Sequence, residues 1–134
     1  MANALYDPGR EGFLDGSIDW DTDDIREMLV LSSYAFSAAH KFVADLGAVD
    51  NGRSAALGSK TVANGVADAA DISLVATAAT ASKALVYFKH TGVDATARLI
   101  AYVDTPTAGL PFTPSAGQTV NITHDNGANK IFKL

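Results

Sequence analysis

The feature that most limits what this chain can fold into is a series of short apolar runs cut apart by turn residues. Residues 83–89 (Lys-Ala-Leu-Val-Tyr-Phe-Lys) and 98–103 (Arg-Leu-Ile-Ala-Tyr-Val) flank the turn residues Thr91-Gly92-Val93-Asp94. Leu85 and Tyr87 alternate with Val86 and Phe88, so both faces of that run are apolar, which predicts a central strand. Residues 119–124 alternate more cleanly, with Val120 and Ile122 inward and polar neighbours outward. Asp125-Asn126-Gly127 then marks a turn before a last strand at 130–134. Residues 25–31 form another apolar run, and weaker strands are expected at 60–67 and 72–76. Residues 50–60 read as a long loop, as do 104–117 with Pro106, Gly109, Pro111, Pro114 and Gly117. One helical run interrupts this pattern: Ser37 as cap, then Ala38, Ala39, Phe42, Val43 and Leu46, with Gly47 at C′. Six or more short strands between Gly, Pro and Asn turns predict an all-β fold. The expected architecture is an antiparallel β-sandwich or jelly-roll-like barrel with an N-terminal arm and at most one short helix.

Charge divides the chain. The first 30 residues hold eight of its fifteen acidic side chains against Arg10 and Arg26, a net −6, whereas the remaining residues sum to +1. The division predicts an acidic N-terminal arm over residues 1–24 and a single β-sandwich domain over 25–134. Asp7 before Pro8 reads as an N-cap with proline in the first helical turn, and Gly9, Gly12 and Gly16 keep any helix short. Such a terminus is expected to be mobile until it docks. Tyr6, Arg10 and Phe13 are its candidate partner contacts. Trp20, between two aspartates, either plugs the end of the sandwich or anchors in a partner's pocket, because Trp, Tyr and Arg dominate interface hot spots.

Composition removes several function classes from the expectation. With 134 residues the chain suits one domain, and with no cysteine it has neither a disulfide framework nor a thiolate centre. A net charge of −5 is the wrong sign for meeting phosphates, so no nucleic-acid partner is expected. No apolar run approaches the roughly 20 residues of a membrane helix. Asp7, Arg10 and Glu11 sit where the apolar part of a secretory leader would begin, so no leader is expected. Its 24 alanines outnumber eleven aromatic residues, so the core buries less area per residue and gains from assembly with copies or a partner.

Constellations that would carry chemistry fall short. Asp19-Trp20-Asp21-Thr22-Asp23-Asp24 has the alternating carboxylates of a Ca²⁺ loop, but an EF-hand starting at Asp19 needs Gly at its sixth position and Glu at its twelfth. Those positions are Asp24 and Val30, and the segment reads instead as a solvated acidic turn. His40, His90 and His124 are far apart, without metal-ligand spacing, and read as lone surface or strand-end histidines. There is no Gly-x-Ser-x-Gly elbow and no phosphate-binding glycine loop. Asn121-Ile122-Thr123 matches a glycosylation sequon but reads as an ordinary strand triplet. No catalytic, cofactor-binding or metal-ligating residues are expected.

Longer segments carry a resemblance. The opening Met1-Ala2-Asn3-Ala4-Leu5-Tyr6-Asp7-Pro8-Gly9-Arg10-Glu11-Gly12-Phe13-Leu14-Asp15-Gly16, with Ile18-Asp19-Trp20 and Asp23-Asp24-Ile25, is similar to a family of small tailed-bacteriophage virion structural proteins. So are Lys83-Ala84-Leu85-Val86-Tyr87-Phe88-Lys89-His90-Thr91-Gly92, Leu99-Ile100-Ala101-Tyr102-Val103-Asp104 and the ending Asn126-Gly127-Ala128-Asn129-Lys130-Ile131-Phe132-Lys133-Leu134. Residues 26–34 depart from the pattern, since the relatives carry an aspartate after that strand. The resemblance implies a capsid decoration (cement) protein on the outside of the head, made in the bacterial host cytoplasm. Its implied partners are the major capsid protein and copies of itself, commonly as a homotrimer at lattice junctions. A neck or tail component (connector or fibre base) is the alternative, and a carbohydrate-binding module a more distant one. The arm and the 104–117 loop are the candidate capsid contacts. If the arm makes the contact through Tyr6, Arg10 and Phe13, deleting residues 2–16 should abolish binding and leave a folded core.

Overall fold

Strand-forming sequence accounts for most of the regular structure in the computed structural model, which describes residues 3–104 and 112–134. A five-stranded antiparallel sheet has the order β1-β8-β7-β2-β3, built from β1 (Ala4–Leu5), β2 (Ile25–Leu31), β3 (Asp50–Arg53), β7 (Ser82–Lys89) and β8 (Leu99–Val103). A three-stranded sheet joins β10 (Phe132–Lys133), β5 (Val66–Asp68) and β4 (Thr61–Ala63), and β6 (Ile72–Val75) pairs with β9 (Thr119–Ile122). Every paired strand runs antiparallel to its neighbour. The fold is therefore all-β with one short α-helix, α1 (Asp7–Asp15).

The five-stranded sheet is buried on both faces, which is why its central strands lack a polar side. Ile25, Leu29, Leu85, Tyr87 and Val103 pack with Trp20, Leu74, Ile122, Ile131 and Phe132 in one core. Met28, Val30, Val86, Phe88 and Tyr102 pack on the other side under Tyr6, Tyr34, Val43 and Leu46. Burying each large apolar side chain contributes about 1.5–3 kcal/mol, so the double-sided sheet supplies most of the hydrophobic stabilisation. Tyr87, Phe88 and Tyr102 are each at most 2 % exposed, as the apolar pattern of their strands implies.

Three expectations are corrected. The helix expected over residues 37–46 is a single turn of 3₁₀ helix, Val43–Leu46. Its upstream backbone serves a neighbour instead: Leu99 N–H donates to the Lys41 carbonyl, and Phe42 makes an isolated bridge with Arg98. The loop expected over 50–60 begins with strand β3, paired to β2. Asn51 fixes it by accepting from the Thr77 and Ala78 N–H groups and donating to Ser82 Oγ at 2.9 Å.

The largest correction concerns residues 1–24, whose described part is not an arm. Ala4 and Leu5 pair with Tyr102 and Ala101, making β1 an outer strand of the main sheet. The cap of α1 is Tyr6 rather than Asp7, with Pro8 inside the first turn and Gly16 closing the helix at φ 78°. Gly9 and Gly12 do more than keep the helix short. A Cβ at Gly9 would stand 2.8 Å from the Leu99 carbonyl oxygen, and one at Gly12 would stand 2.4 Å from Ile18 Cδ1. Bare glycine backbone is what lets α1 lie against β8. Gly9→Ala should therefore lower stability by about 1–2 kcal/mol in urea unfolding, because the clash with fixed backbone exceeds the gain in helix propensity. Arg98 secures the same contact by donating to the Pro8 carbonyl.

The loop expected at 104–117 lies partly outside the described residues, including Pro106, Gly109 and Pro111. Where it is described, Phe112 exchanges two backbone hydrogen bonds with Ser82, at 2.8 and 3.0 Å.

Candidate interaction surface

The four residues expected to contact a partner divide into two buried and two at the surface. Tyr6 has no exposed area. Its hydroxyl stands 3.0 Å from that of Tyr34, which in turn meets His40 Nδ1 at 3.0 Å. Burial, followed by the Tyr34 hydrogen bond, pushes the Tyr6 pKa well up and keeps the phenol neutral. Trp20 is 3 % exposed, stands edge-on to Phe132 at 5.2 Å, and donates its indole N–H to the Asp68 carbonyl at 3.0 Å. Neither side chain can enter a partner's pocket without leaving the core, which corrects their assignment as contacts. Trp20 is the plug.

Arg10 and Phe13 do reach the surface. Arg10 is exposed on α1 and pairs with Asp7 at 3.1 Å, a contact that water and salt weaken. Phe13 is half-buried, with its ring 5.8 Å from that of Phe132. Beside Phe13 lie apolar residues that were not among the expected contacts: Leu14 at 89 % exposure, Val62 at 58 % and Leu134 at 58 %. A depression of about 350 Å³ has Phe13, Trp20, Val62, Val66 and Leu134 in its walls. A second, of about 300 Å³, is bounded by Arg10, Phe13, Leu14, Lys133 and Leu134. They share Phe13 and Leu134 and so form one continuous face from α1 across β10 to β4. Isolated exposed leucines are ordinary on protein surfaces, but a joined apolar face with a polar rim marks an interaction site. The sequence held only a weak signal for it. Leu14 follows Phe13 in a nine-residue helix, about 100° further round its axis, and it is Leu14 that faces outward.

In the acidic turn at 19–24, Asp19 and Asp21 are exposed, whereas Asp23 and Asp24 are held within the protein. Asp23 Oδ2 accepts the Asp19 N–H at 2.8 Å and pairs with Lys89 at 3.0 Å. Asp24 holds Arg26 through two hydrogen bonds, at 3.0 and 2.9 Å, and this contact keeps its carboxyl below the usual range. Among the described residues no three His, Asp or Glu side chains are grouped to hold a metal ion, and no helix is long and apolar enough to cross a membrane.

One histidine departs from expectation. His124 is 5 % exposed, and its Nε2 stands 3.3 Å from Oε2 of Glu27, a carboxylate with no exposed area. The signal was a single acid, Glu27, alternating with Ile25 and Leu29 on an inward strand face. No family of known proteins, no curated protein and no solved structure matches the chain.

Proposed function

We propose that this protein is a bacteriophage capsid decoration (cement) protein that seats the face formed by Leu14, Val62 and Leu134 on the major capsid protein lattice. The observation that carries the docking part of this reading is that joined apolar face, in which two depressions share Phe13 and Leu134. The virion setting rests on the sequence resemblance, and a homotrimer at lattice junctions is part of the same proposal. A protein in this role needs rigid shape and a desolvated contact patch, which a double-sided sheet and a small helix fixed by Gly9 and Gly12 supply.

The reading has a direct test. Leu14→Asp and Val62→Asp change exposed side chains, so melting temperatures should stay close to the wild type, within about 0.5 kcal/mol of stability. Binding to purified shells lacking the protein should weaken by about tenfold or more for each, the equivalent of about 1.4 kcal/mol. Unaltered binding would move the contact elsewhere. Quantitative mass spectrometry of virions should give a copy number of the order of the capsid protein's. A handful of copies per particle would instead place the protein in the neck or tail.

A further inference from the structure

Glu27 lies in the middle of β2, on the core face that also carries Ile25 and Leu29. Its backbone is held on one side by Ser54, whose Oγ accepts the Glu27 N–H at 3.0 Å. Its side chain has no cation beside it on the same sheet. Tyr87 is its cross-strand neighbour on β7, and burial, then the Glu27 charge, pushes that phenol's pKa far up. The partner comes from a distant part of the chain: His124, just past the end of β9.

The geometry around the imidazole counts protons. Nδ1 stands 3.0 Å from the Ala69 carbonyl oxygen and Nε2 stands 3.3 Å from Glu27 Oε2. A carbonyl and a carboxylate only accept, so satisfying both requires a hydrogen on each ring nitrogen. A neutral imidazole has one. The pair therefore holds one proton beyond a neutral histidine and a bare carboxylate. Asp71 adds to the demand, with Oδ1 accepting the His124 backbone N–H at 2.8 Å and lying 3.9 Å from Nδ1. Asp125 and Lys130 line the small space beside His124 on its other side, and the Tyr87 ring is centred 6.2 Å away.

We infer that this proton is a latch: while the pair holds it, residues 119–134 are pinned to the five-stranded sheet, and its loss lets that segment open. Removing it leaves a fully buried carboxylate facing an imidazole lone pair, and Glu27 Oε1 already has no hydrogen-bond partner. Relief must come from whichever side moves more easily. Strand β2 is paired on both edges, to β7 and β3, whereas among the described residues β9 pairs only with β6 and β10 only with β5. Opening would lift Ile131 and Phe132 from the core they share with Trp20.

The sign follows from the surroundings of His124. Burial, the largest single influence, disfavours the charged ring, but the Glu27 hydrogen bond and charge, the Ala69 carbonyl and Asp71 together raise its pKa above the ordinary value. The latch is thus fully closed below the unfolded histidine's pKa of about 6.5, and its contribution disappears as pH rises through the higher folded value. Each unit between the two is a tenfold change in the ratio of closed to open segment.

Amide hydrogen exchange on the full chain, corrected for intrinsic rates and followed from about pH 6 to about pH 9, tests this. Protection over 119–134 should fall with rising pH while β2, β7 and β8 keep theirs, and Trp20, the only tryptophan, should shift its emission to the red. Glu27→Gln should flatten the profile, since the amide can donate to a neutral imidazole. A second measurement, independent of how that variant folds, is the titration of His124 by NMR in the native protein. A pKa at or below the free histidine's overturns the latch. So does a pH-independent exchange pattern, or a loss of protection spread evenly over the whole chain.

Discussion

A chain lacking residues 2–16 should fail to reach a stable native state, in contrast to the folded core that an arm would leave behind. The deletion removes Leu5 and Tyr6, at 7 % and 0 % exposure, and the half-buried Phe13. At about 1.5–3 kcal/mol for each large side chain, the lost burial alone is about 5 kcal/mol, near the lower end of total domain stability. Other losses add to this. Tyr34 loses the hydroxyl partner at 3.0 Å, and β8 loses the strand covering its outer edge, where Tyr6 N–H donates to the Ile100 carbonyl. Circular dichroism and NMR dispersion of the truncated protein check the outcome. A cooperative melt close to the full-length midpoint would show that β1 and α1 are dispensable. Truncation is accordingly the wrong way to probe binding, which the exposed Leu14 and Val62 can test without disturbing the core.

Replacing Trp20 by Ala should cost about 3–5 kcal/mol, the range for removing a large buried aromatic side chain. The ring joins residues from three parts of the chain: Phe132 from the end, Tyr87 from the central strand at 6.3 Å, and Asp68 through its carbonyl. The cavity lies where the small three-stranded sheet meets the large one, so neighbours cannot collapse into it without shifting β5 or β10. Trp20→Phe separates the contributions. It keeps most of the packing and loses the hydrogen bond to Asp68, so its loss should be smaller, about 1–2 kcal/mol. Urea unfolding of the two variants gives both numbers, and a Trp20→Ala loss below that of Trp20→Phe would contradict the packing account.

What the sequence revealed depended on how each residue's partners were distributed. Strands β2, β7 and β8 were legible because they are apolar on both faces, so any register leaves them buried. The alternation of Val120 and Ile122 was legible for the opposite reason, with one face half-buried to buried and the other exposed. Strand β3 was hidden because Asp-Asn-Gly-Arg has the composition of a turn, and Gly52 takes φ 121°. Its pairing is enforced by Asn51, whose partners are 26 to 31 positions away. The helix expected at 37–46 had suitable residues, but its backbone groups were claimed elsewhere: the Ala38 carbonyl by Asp7, the Lys41 carbonyl by Leu99 and the Val43 N–H by the Ala97 carbonyl. The N-terminal segment looked like an arm because its acids and glycines were counted without knowing that Gly9 abuts β8 and Gly12 abuts the buried Ile18. The Glu27–His124 pair spans 97 positions, and nothing local joins its members.

The pairing of β1 with β8 also sets a clock on folding. Ala4 meets Tyr102, and Trp20 meets Phe132, so these two residues find their partners only after a long intervening stretch has been made. Nothing shorter completes the main sheet, since β8 is flanked by β7 and β1. Loops this long must close before their contacts repay the lost chain entropy, which places folding in the slow, millisecond-to-second class of non-local β topologies. On the ribosome, therefore, the apolar strand β2 is made well before β7, its central partner, exists to pair with it. A cell making this protein in quantity must tolerate that exposed interval, and a lower growth temperature should raise the soluble yield more than any single stabilising surface change.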